Sequence, residues 1–322
     1  MLAARAREPP RPDRQRARLD PRQAALNAGY RFWGIVFALA GTVSFAFRPI
    51  LIKLGYNTHP VSATTLLFLR MTLSLPFFLA MAWWMRAGAP IARRDWLGIL
   101  GLGFLGYYLA SLLDFLGLQY VSAGVGRLIM FLYPTLVVIL SAVFLKKNPS
   151  FRELAALAIT YTGIALVLSS QVASAPENRA FMFGALLIFA AAMCYAVYLV
   201  TGSQLVKRVG SVRFTAYTMI VSAAPAVLQF FILESPAALD LPANLWWIAI
   251  ALATVCTVLP VFLVAEALKR IGANHFALIG ALGPVTTVLA DFALLEGALT
   301  MAQMLGGALV ISGVLLVTLK RN

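Results

Sequence analysis

Long apolar runs and short polar segments alternate along the chain. Each run is near the ~20 residues that an α-helix needs to cross hydrocarbon, and none shows the two-residue alternation of a membrane barrel strand. Only helices or closed barrels satisfy backbone polar groups in lipid, so the pattern indicates helices. We predict ten transmembrane helices, near residues 33–52, 62–85, 96–116, 124–145, 154–170, 182–202, 214–233, 245–266, 274–295 and 302–319.

Lysine and arginine near the span ends predict the orientation, because these residues concentrate on the cytoplasmic side. With the N-terminus inside, ten crossings place both termini in the cytoplasm. The predicted inner loops then contain the cations Arg86, Arg93, Arg94, Lys146, Lys147, Arg152, Lys207, Arg208, Arg213, Lys269 and Arg270. The predicted outer loops contain Glu177, Arg179, Glu234, Asp240 and Glu296. Lys53 lies near the first outer loop, which follows the first span. The pattern predicts a multi-pass inner-membrane protein.

Composition agrees with burial in lipid. Of the 322 residues, 61% are hydrophobic and 12% are charged, against roughly 25% charged in a soluble domain. The net charge of +14 comes from the tail and the short loops, so topology explains it and we expect no nucleic-acid partner. Residues 1–31 contain eight Arg and four Pro, which predicts a disordered, Arg-rich cytoplasmic tail.

The chain repeats itself at an offset of 150 residues. Trp96 matches Trp246, Pro134 matches Pro284, and further matches occur in all five spans of each half. Each half has an odd number of spans, so the halves insert in opposite orientations. We predict an all-α membrane protein of two inverted five-helix repeats, residues 32–171 and 180–320, an architecture that transporters use with the substrate site near the bilayer midplane.

Several short motifs carry a family resemblance. They are Trp33-Gly34, the stretch 116–124 (LGLQYVSAG) leading to Tyr133-Pro134, the segment 267–273 leading to Gly283-Pro284, and the glycines Gly163 and Gly313. Together they resemble the drug/metabolite transporter (DMT) superfamily and, within it, the ten-helix EamA-type family, over residues 33–319. The resemblance implies export or exchange of amino acids, other small metabolites or toxic organic compounds. It also implies a central cavity lined mainly by the first, third, fourth, sixth, eighth and ninth helices.

Ionisable residues inside spans are costly and therefore indicate function. They are Arg48, Arg70, Asp114, Arg127, Glu266, His275 and Asp291. All but Glu266 and His275 fall in the predicted outer half, where three cations against two anions favour a substrate with a carboxylate. Arg70 is the first candidate for binding it. Asp114 either binds an ammonium group or couples transport to protons. The structural alternative is that Asp114 pairs with Arg127 across a turn and Arg48 extends outward.

Tyrosines and prolines supply the remaining candidates. Tyr133, Tyr195 and Tyr198 either line the cavity, where a phenol offers one hydrogen bond, or pack against lipid and protein. Pro134 and Pro284, at matching positions of the fourth and ninth spans, are either hinges for alternating access or fixed kinks.

The sequence favours a secondary transporter that exports or exchanges small metabolites, with amino acids first. The alternatives are an exporter of organic cations or toxic compounds and, in another class, a membrane-embedded scaffold or lipid scramblase. The two histidines, His59 and His275, lie on predicted opposite sides, so we expect no catalytic site, metal or cofactor. No Walker motif is present, proton coupling stays open, and the oligomeric state is undetermined.

Overall fold

The computed structural model describes residues 21–86, 90–145, 150–174, 179–280, 282–295 and 300–318. These residues are helical apart from their connections and contain no strand. The α-helices are α1 Pro21–Ala46, α2 Arg48–Thr58, α3 Ala63–Trp84, α4 Arg93–Gly103, α5 Ala110–Gly117, α6 Ala123–Met130, α7 Tyr133–Leu145, α8 Phe151–Ser174, α9 Arg179–Val209, α10 Ser211–Leu233, α11 Ala243–Ala253, α12 Leu259–Gly280, α13 Leu282–Leu294 and α14 Met301–Thr318.

Ten membrane spans follow from these helices, in the predicted order. Seven stretches are long and apolar enough to cross a membrane: Gly29–Thr58, Ala63–Trp84, Arg93–Gly117, Ala123–Phe144, Arg179–Val209, Ser211–Leu233 and Ala243–Gly272. Three shorter apolar helices complete the set: Leu154–Leu166, Leu282–Leu294 and Met301–Gly313. The prediction of an all-α membrane protein with ten transmembrane helices is confirmed.

The boundaries differ from the predicted ones at three points. α1 begins at Pro21, so residues 21–31 of the predicted disordered tail are helical; proline suits a first helical turn, and Arg, Gln, Ala and Leu are good helix formers. α2 runs through the predicted first loop to Thr58, and α9 continues to Val209 past Lys207 and Arg208. Residues 1–20 of the tail, and the predicted loop residues Lys146, Lys147, Glu177 and Glu296, lie outside the described residues.

The packing of the spans shows the two-fold relation between the halves. The first span packs on the eighth and the third on the sixth, while the second packs on the seventh, the fourth on the ninth and the fifth on the tenth. Exchanging each span with its counterpart in the other half maps this set of contacts onto itself. The inverted five-helix repeat is therefore a property of the three-dimensional structure.

A π-helical turn interrupts the third span of each half. The turns cover Phe104–Leu109 and Thr254–Val258, at the same 150-residue offset as the sequence repeat. Such a turn widens the helix and marks functional sites more often than ordinary helix does. In the second turn the hydroxyl of Thr257 donates to the carbonyl oxygen of Leu252 at 2.8 Å, which satisfies an acceptor inside the widened helix.

Two spans break close to a proline, which lacks a backbone donor. The first span breaks at Phe47, next to Pro49, and the fourth breaks between α6 and α7, just before Pro134. In the ninth span, Pro284 lies in the first turn of α13, and residue 281 between α12 and α13 lies outside the described residues. The eighth and ninth spans join within α12 at Gly272, whose φ of 74° is a left-handed value that glycine adopts without strain.

Glycine allows the fifth and tenth spans to approach closely. A Cβ at Gly163 would lie 2.6 Å from the carbonyl oxygen of Gly306 and 2.9 Å from Cβ of Leu309. The backbone oxygen cannot move aside without shifting the helix. Gly101 offers a comparison, because nothing lies within 4 Å of a Cβ at that position.

We therefore expect Gly163→Ala to lower the free energy of unfolding of the purified protein by about 1–3 kcal/mol, because the added methyl group overpacks this contact. Gly101→Ala adds the same methyl group in open space. We expect it to cause no loss of stability, since alanine favours the helix more than glycine does. Thermal unfolding in one detergent measures both variants. Equal stability of the two would contradict the close contact of the fifth and tenth spans.

Candidate functional site

A central cavity of about 250 Å³ lies between the two halves. We call it the central cavity; its described lining is Thr42, Phe45, Arg48, Gly106, Tyr107, Ala110, Ser111, Arg127, Met130, Phe131, Tyr133, Tyr195, Val264, Phe276 and Gly280. These residues come from the first, third, fourth, sixth, eighth and ninth spans, the six that the resemblance implies. A small recess, lined in part by Arg48, Asp114 and Arg127, adjoins it.

Arg127 faces the central cavity without a charged partner. It lies in the last turn of α6, before the break ahead of Pro134. Its Nε is buried and makes no hydrogen bond, and among the described residues no carboxylate lies within 4.0 Å of it. Gly283 of the ninth span lies against its guanidinium, since a Cβ there would be in ordinary van der Waals contact with Nη2, at 3.5 Å. A cation in this position has capacity for an anionic ligand.

Arg48 and Asp114 form a buried ion pair at the recess. Nη2 of Arg48 donates to Oδ2 of Asp114 at 2.6 Å, and the side chains are 14% and 6% exposed. Asp114 therefore pairs with Arg48 of the first span and not with Arg127, and Arg48 does not extend outward, so both parts of the structural alternative are wrong. The break next to Pro49 turns Arg48 inward, and its Nε remains buried without a partner.

Arg70, the first candidate from the sequence, lies behind the cavity wall. It is 2% exposed. Its Nε donates to Oγ1 of Thr257 at 3.1 Å and its Nη1 donates to Oγ of Ser111 at 3.0 Å, while its guanidinium lies 5.6 Å from the centre of the Phe115 ring. Arg70 thus links the second span to the third and eighth near their π-helical turns. It reaches the central cavity only through Ser111.

Tyrosines form a connected aromatic cluster on one wall. The ring centres of Tyr133 and Tyr195 lie 5.1 Å apart, and those of Tyr195 and Tyr198 lie 5.8 Å apart. Tyr133 and Tyr195 line the cavity. Tyr198 lies one layer back, stacked on Phe214, with its ring centre 5.2 Å from that of Tyr107. The cluster offers the cavity ring faces together with phenol hydroxyls.

Asp291 joins the two halves away from the cavity. Its Oδ2 accepts a hydrogen bond from the backbone N–H of Gly124 at 2.8 Å, at the first turn of α6. A carboxylate there satisfies a free donor and interacts favourably with the helix dipole. One turn away, the hydroxyl of Thr287 donates to the carbonyl oxygen of Ala46 at 2.8 Å. Asp291 therefore caps a helix of the opposite half and does not line the cavity.

The two charged groups expected at the inner edge have local partners. Glu266 pairs with Lys269 at 3.0 Å and with Arg270 at 3.2 Å. Nδ1 of His275 lies 3.0 Å from the carbonyl oxygen of Ile271. Both residues are therefore held by neighbours on their own helix. Among the described residues no group of three His, Cys, Asp or Glu side chains is placed to hold a metal ion.

Sequence reasoning missed several lining residues, above all Tyr107 and Ser111. Both lie in or next to the first π-helical turn, and Arg70 holds Ser111. Hydropathy gives no signal for a π-helical turn. Gly106 is the feature of the sequence that could have pointed to this wall. A Cβ there would collide with the ring of Tyr198, so glycine allows the tyrosine cluster to pack closely.

Comparison with known proteins agrees with this architecture. The EamA-like transporter family matches twice, over residues 32–169 and 182–319. The chain is 32% identical to the uncharacterized transporter YcbK of Bacillus subtilis strain 168, covering 85% of this chain and 88% of that protein. It is 30% identical to the uncharacterized transporter YyaM of the same organism, covering 69% and 73%.

A solved crystal structure of another protein shares the fold. It superposes with a TM-score of 0.59 at 18% identity, covering 91% of this chain and 97% of the other. At that identity the likeness concerns the fold alone. The two family matches account for both five-helix halves, and the chain belongs to the EamA-like transporter family, within the drug/metabolite transporter superfamily.

Proposed function

We propose that the protein is a secondary transporter that exports or exchanges small metabolites bearing a carboxylate, with amino acids among the first compounds to test. The observation that carries the proposal is Arg127, a cation without a charged partner that faces a cavity between two inverted halves. A guanidinium grips a carboxylate through two parallel hydrogen bonds. Arg48, Tyr133 and Tyr195 complete the proposed binding wall.

Alternating access would move the two halves about the central cavity. The fourth span breaks just before Pro134, and Pro284 holds the matching position of the ninth span. Discontinuous helices are typical of transporter sites. We propose Pro134 and Pro284 as the hinges. The sequence contains no Walker motif, so we propose gradients or exchange, with proton coupling through Asp114 as one form, as the source of energy.

The alternatives differ in what they require of the cavity. An exporter of organic cations would use the faces of Tyr107, Tyr133 and Tyr195, which attract cations, but Arg127 and Arg48 would repel the same substrate. A scaffold or scramblase needs no unpartnered cation facing an internal cavity. The position of Arg127 therefore favours carriage of an anionic group. We place the protein in the bacterial inner membrane, with both termini cytoplasmic.

Uptake into proteoliposomes tests the proposal. With labelled amino acids, organic anions and organic cations as the panel, we expect uptake of at least one carboxylate compound. Arg127→Gln should reduce that uptake by tenfold or more, because it removes the cation and its two parallel donors. Arg94→Gln makes the same change at an exposed residue near the start of α4 and should leave uptake unchanged.

Two results would contradict the proposal. The transport function fails if no compound of the panel is taken up above the rate of empty liposomes. The site assignment fails if Arg127→Gln transports as well as Arg94→Gln does.

The hinges can be tested by restoring the backbone donor. We expect Pro134→Ala and Pro284→Ala to slow uptake by roughly tenfold while substrate affinity is kept, because a continuous helix favours one conformation over the other. Pro76→Ala is the control, since Pro76 lies within the unbroken α3. Uptake rate and ligand-induced thermal stabilisation are measured on each variant. Unchanged rates in both hinge variants would indicate fixed kinks.

Labelling of single cysteines tests the orientation. In a variant lacking Cys194 and Cys256, we expect Ala237→Cys, between the seventh and eighth spans, to react with an impermeant maleimide in intact cells. Arg94→Cys, at the exposed start of the third span, should react only after the membrane is opened, since positive loops lie inside. The reverse pattern would place the termini outside.

A further inference from the structure

The polar side chains that line the central cavity are rich in hydrogen-bond donors. They are Thr42, Arg48, Tyr107, Ser111, Arg127, Tyr133 and Tyr195. Guanidinium groups only donate, and hydroxyls donate or accept. Among the described lining residues there is no carboxylate and no side-chain amide. The wall therefore carries the groups that a carboxylate needs, and an ammonium group would find only hydroxyls, ring faces and backbone oxygens.

In the part of the chain that the structure describes, the two acidic residues nearest the site, Asp114 and Asp291, are already engaged. Asp114 faces the recess and lies 2.6 Å from Arg48. Asp291 lines neither space and accepts from the N–H of Gly124 at 2.8 Å. An ammonium group that reached Asp114 would have to displace Arg48 and would then lie beside two guanidinium groups. Neither carboxylate is available to balance a positive charge on the substrate.

The charges around the cavity sum to a surplus of positive charge. Arg48 is balanced by Asp114, whereas Arg127 and the buried Arg70 have no carboxylate within 4.0 Å among the described residues. A net anion reduces this surplus when it binds. A zwitterion leaves it unchanged and brings its ammonium group into the same field, where charges interact far more strongly than in water.

We propose that the central cavity selects organic anions over zwitterionic amino acids, so that the natural substrate is a carboxylate that lacks an ammonium group. This inference rests on the proposed transport function and narrows its substrate class. The cavity, at about 250 Å³, lies just below the roughly 300–1,000 Å³ of typical ligand pockets, which favours a compact molecule. Met130, Phe131, Val264 and Phe276 supply an apolar wall for its hydrocarbon part.

Matched pairs of compounds test the selection directly. Phenylalanine and 3-phenylpropanoate, or leucine and 4-methylpentanoate, share a carboxylate and a carbon skeleton and differ in the ammonium group. Binding to the purified full-length protein is measured by thermal stabilisation over a range of concentrations. We expect the anion of at least one pair to have a dissociation constant tenfold or more below that of its amino acid, because it avoids repulsion by Arg127 and Arg48.

Two variants connect the selection to Arg127. Arg127→Gln should weaken anion binding tenfold or more and bring the two members of a pair to similar affinity. Arg127→Lys keeps the charge but loses the planar fork, so it should keep the preference at lower affinity. Arg94→Gln should bind like the unaltered protein. If Arg127→Gln does not fold, Arg127→Lys still tests the assignment of the site, since loss of the planar fork should weaken anion binding while the preference for the anion is kept.

The outcomes separate this inference from the proposed function. Equal or tighter binding of the amino acids overturns the selection, as does failure of every anion to bind. If the proteoliposome panel still shows uptake of amino acids or cations in that case, the transport function stands and only the substrate class falls. If the panel shows no uptake at all, the proposed function falls as well.

Discussion

Positive charge buried between membrane helices is the constraint on which the site of this protein depends. An arginine at mid-membrane costs about 3 kcal/mol on insertion scales unless it finds a partner or water. Arg48 meets the constraint with the carboxylate of Asp114. Arg70 meets it with two hydroxyl groups and the face of Phe115. Arg127 has neither a carboxylate nor a hydroxyl partner. Of the three arginines, it is the one that faces a cavity without a bonded acceptor among the described residues.

The backbone imposes a second constraint, because lipid leaves no free carbonyl or N–H unpaired. Where the spans bend or break, polar side chains of other segments supply the missing partners. Thr287 donates to Ala46 at the end of α1, and Asp291 accepts from Gly124 at the start of α6. Both contacts cross from the ninth span to the opposite half. Relative movement of the halves must therefore carry these contacts along or exchange them for others.

Hydropathy and the 150-residue offset were sufficient to predict the helix class, the ten spans and the inverted repeat. These properties follow from the one-dimensional pattern, since a span needs only length and apolarity. The same pattern did not predict which groups the buried charges pair with. Asp114 lies close to Arg127 in sequence but pairs with Arg48, because the turn next to Pro49 and the rotation of each helix decide which side chains meet. Helix rotation is set by packing, which a hydropathy profile does not contain.

The symmetry of the backbone is not matched by symmetry of the chemistry. The 150-residue offset relates Arg127 to Ala277, Asp114 to Val264 and Ser111 to Val261. The polar wall of the cavity thus comes almost entirely from the first half, and Tyr195 is the second half's main polar contribution among the described lining residues. Inverted repeats provide two equivalent conformations of the scaffold, whereas a binding site requires a fixed set of donors. Concentrating those donors in one half lets them keep their geometry while the other half moves across them.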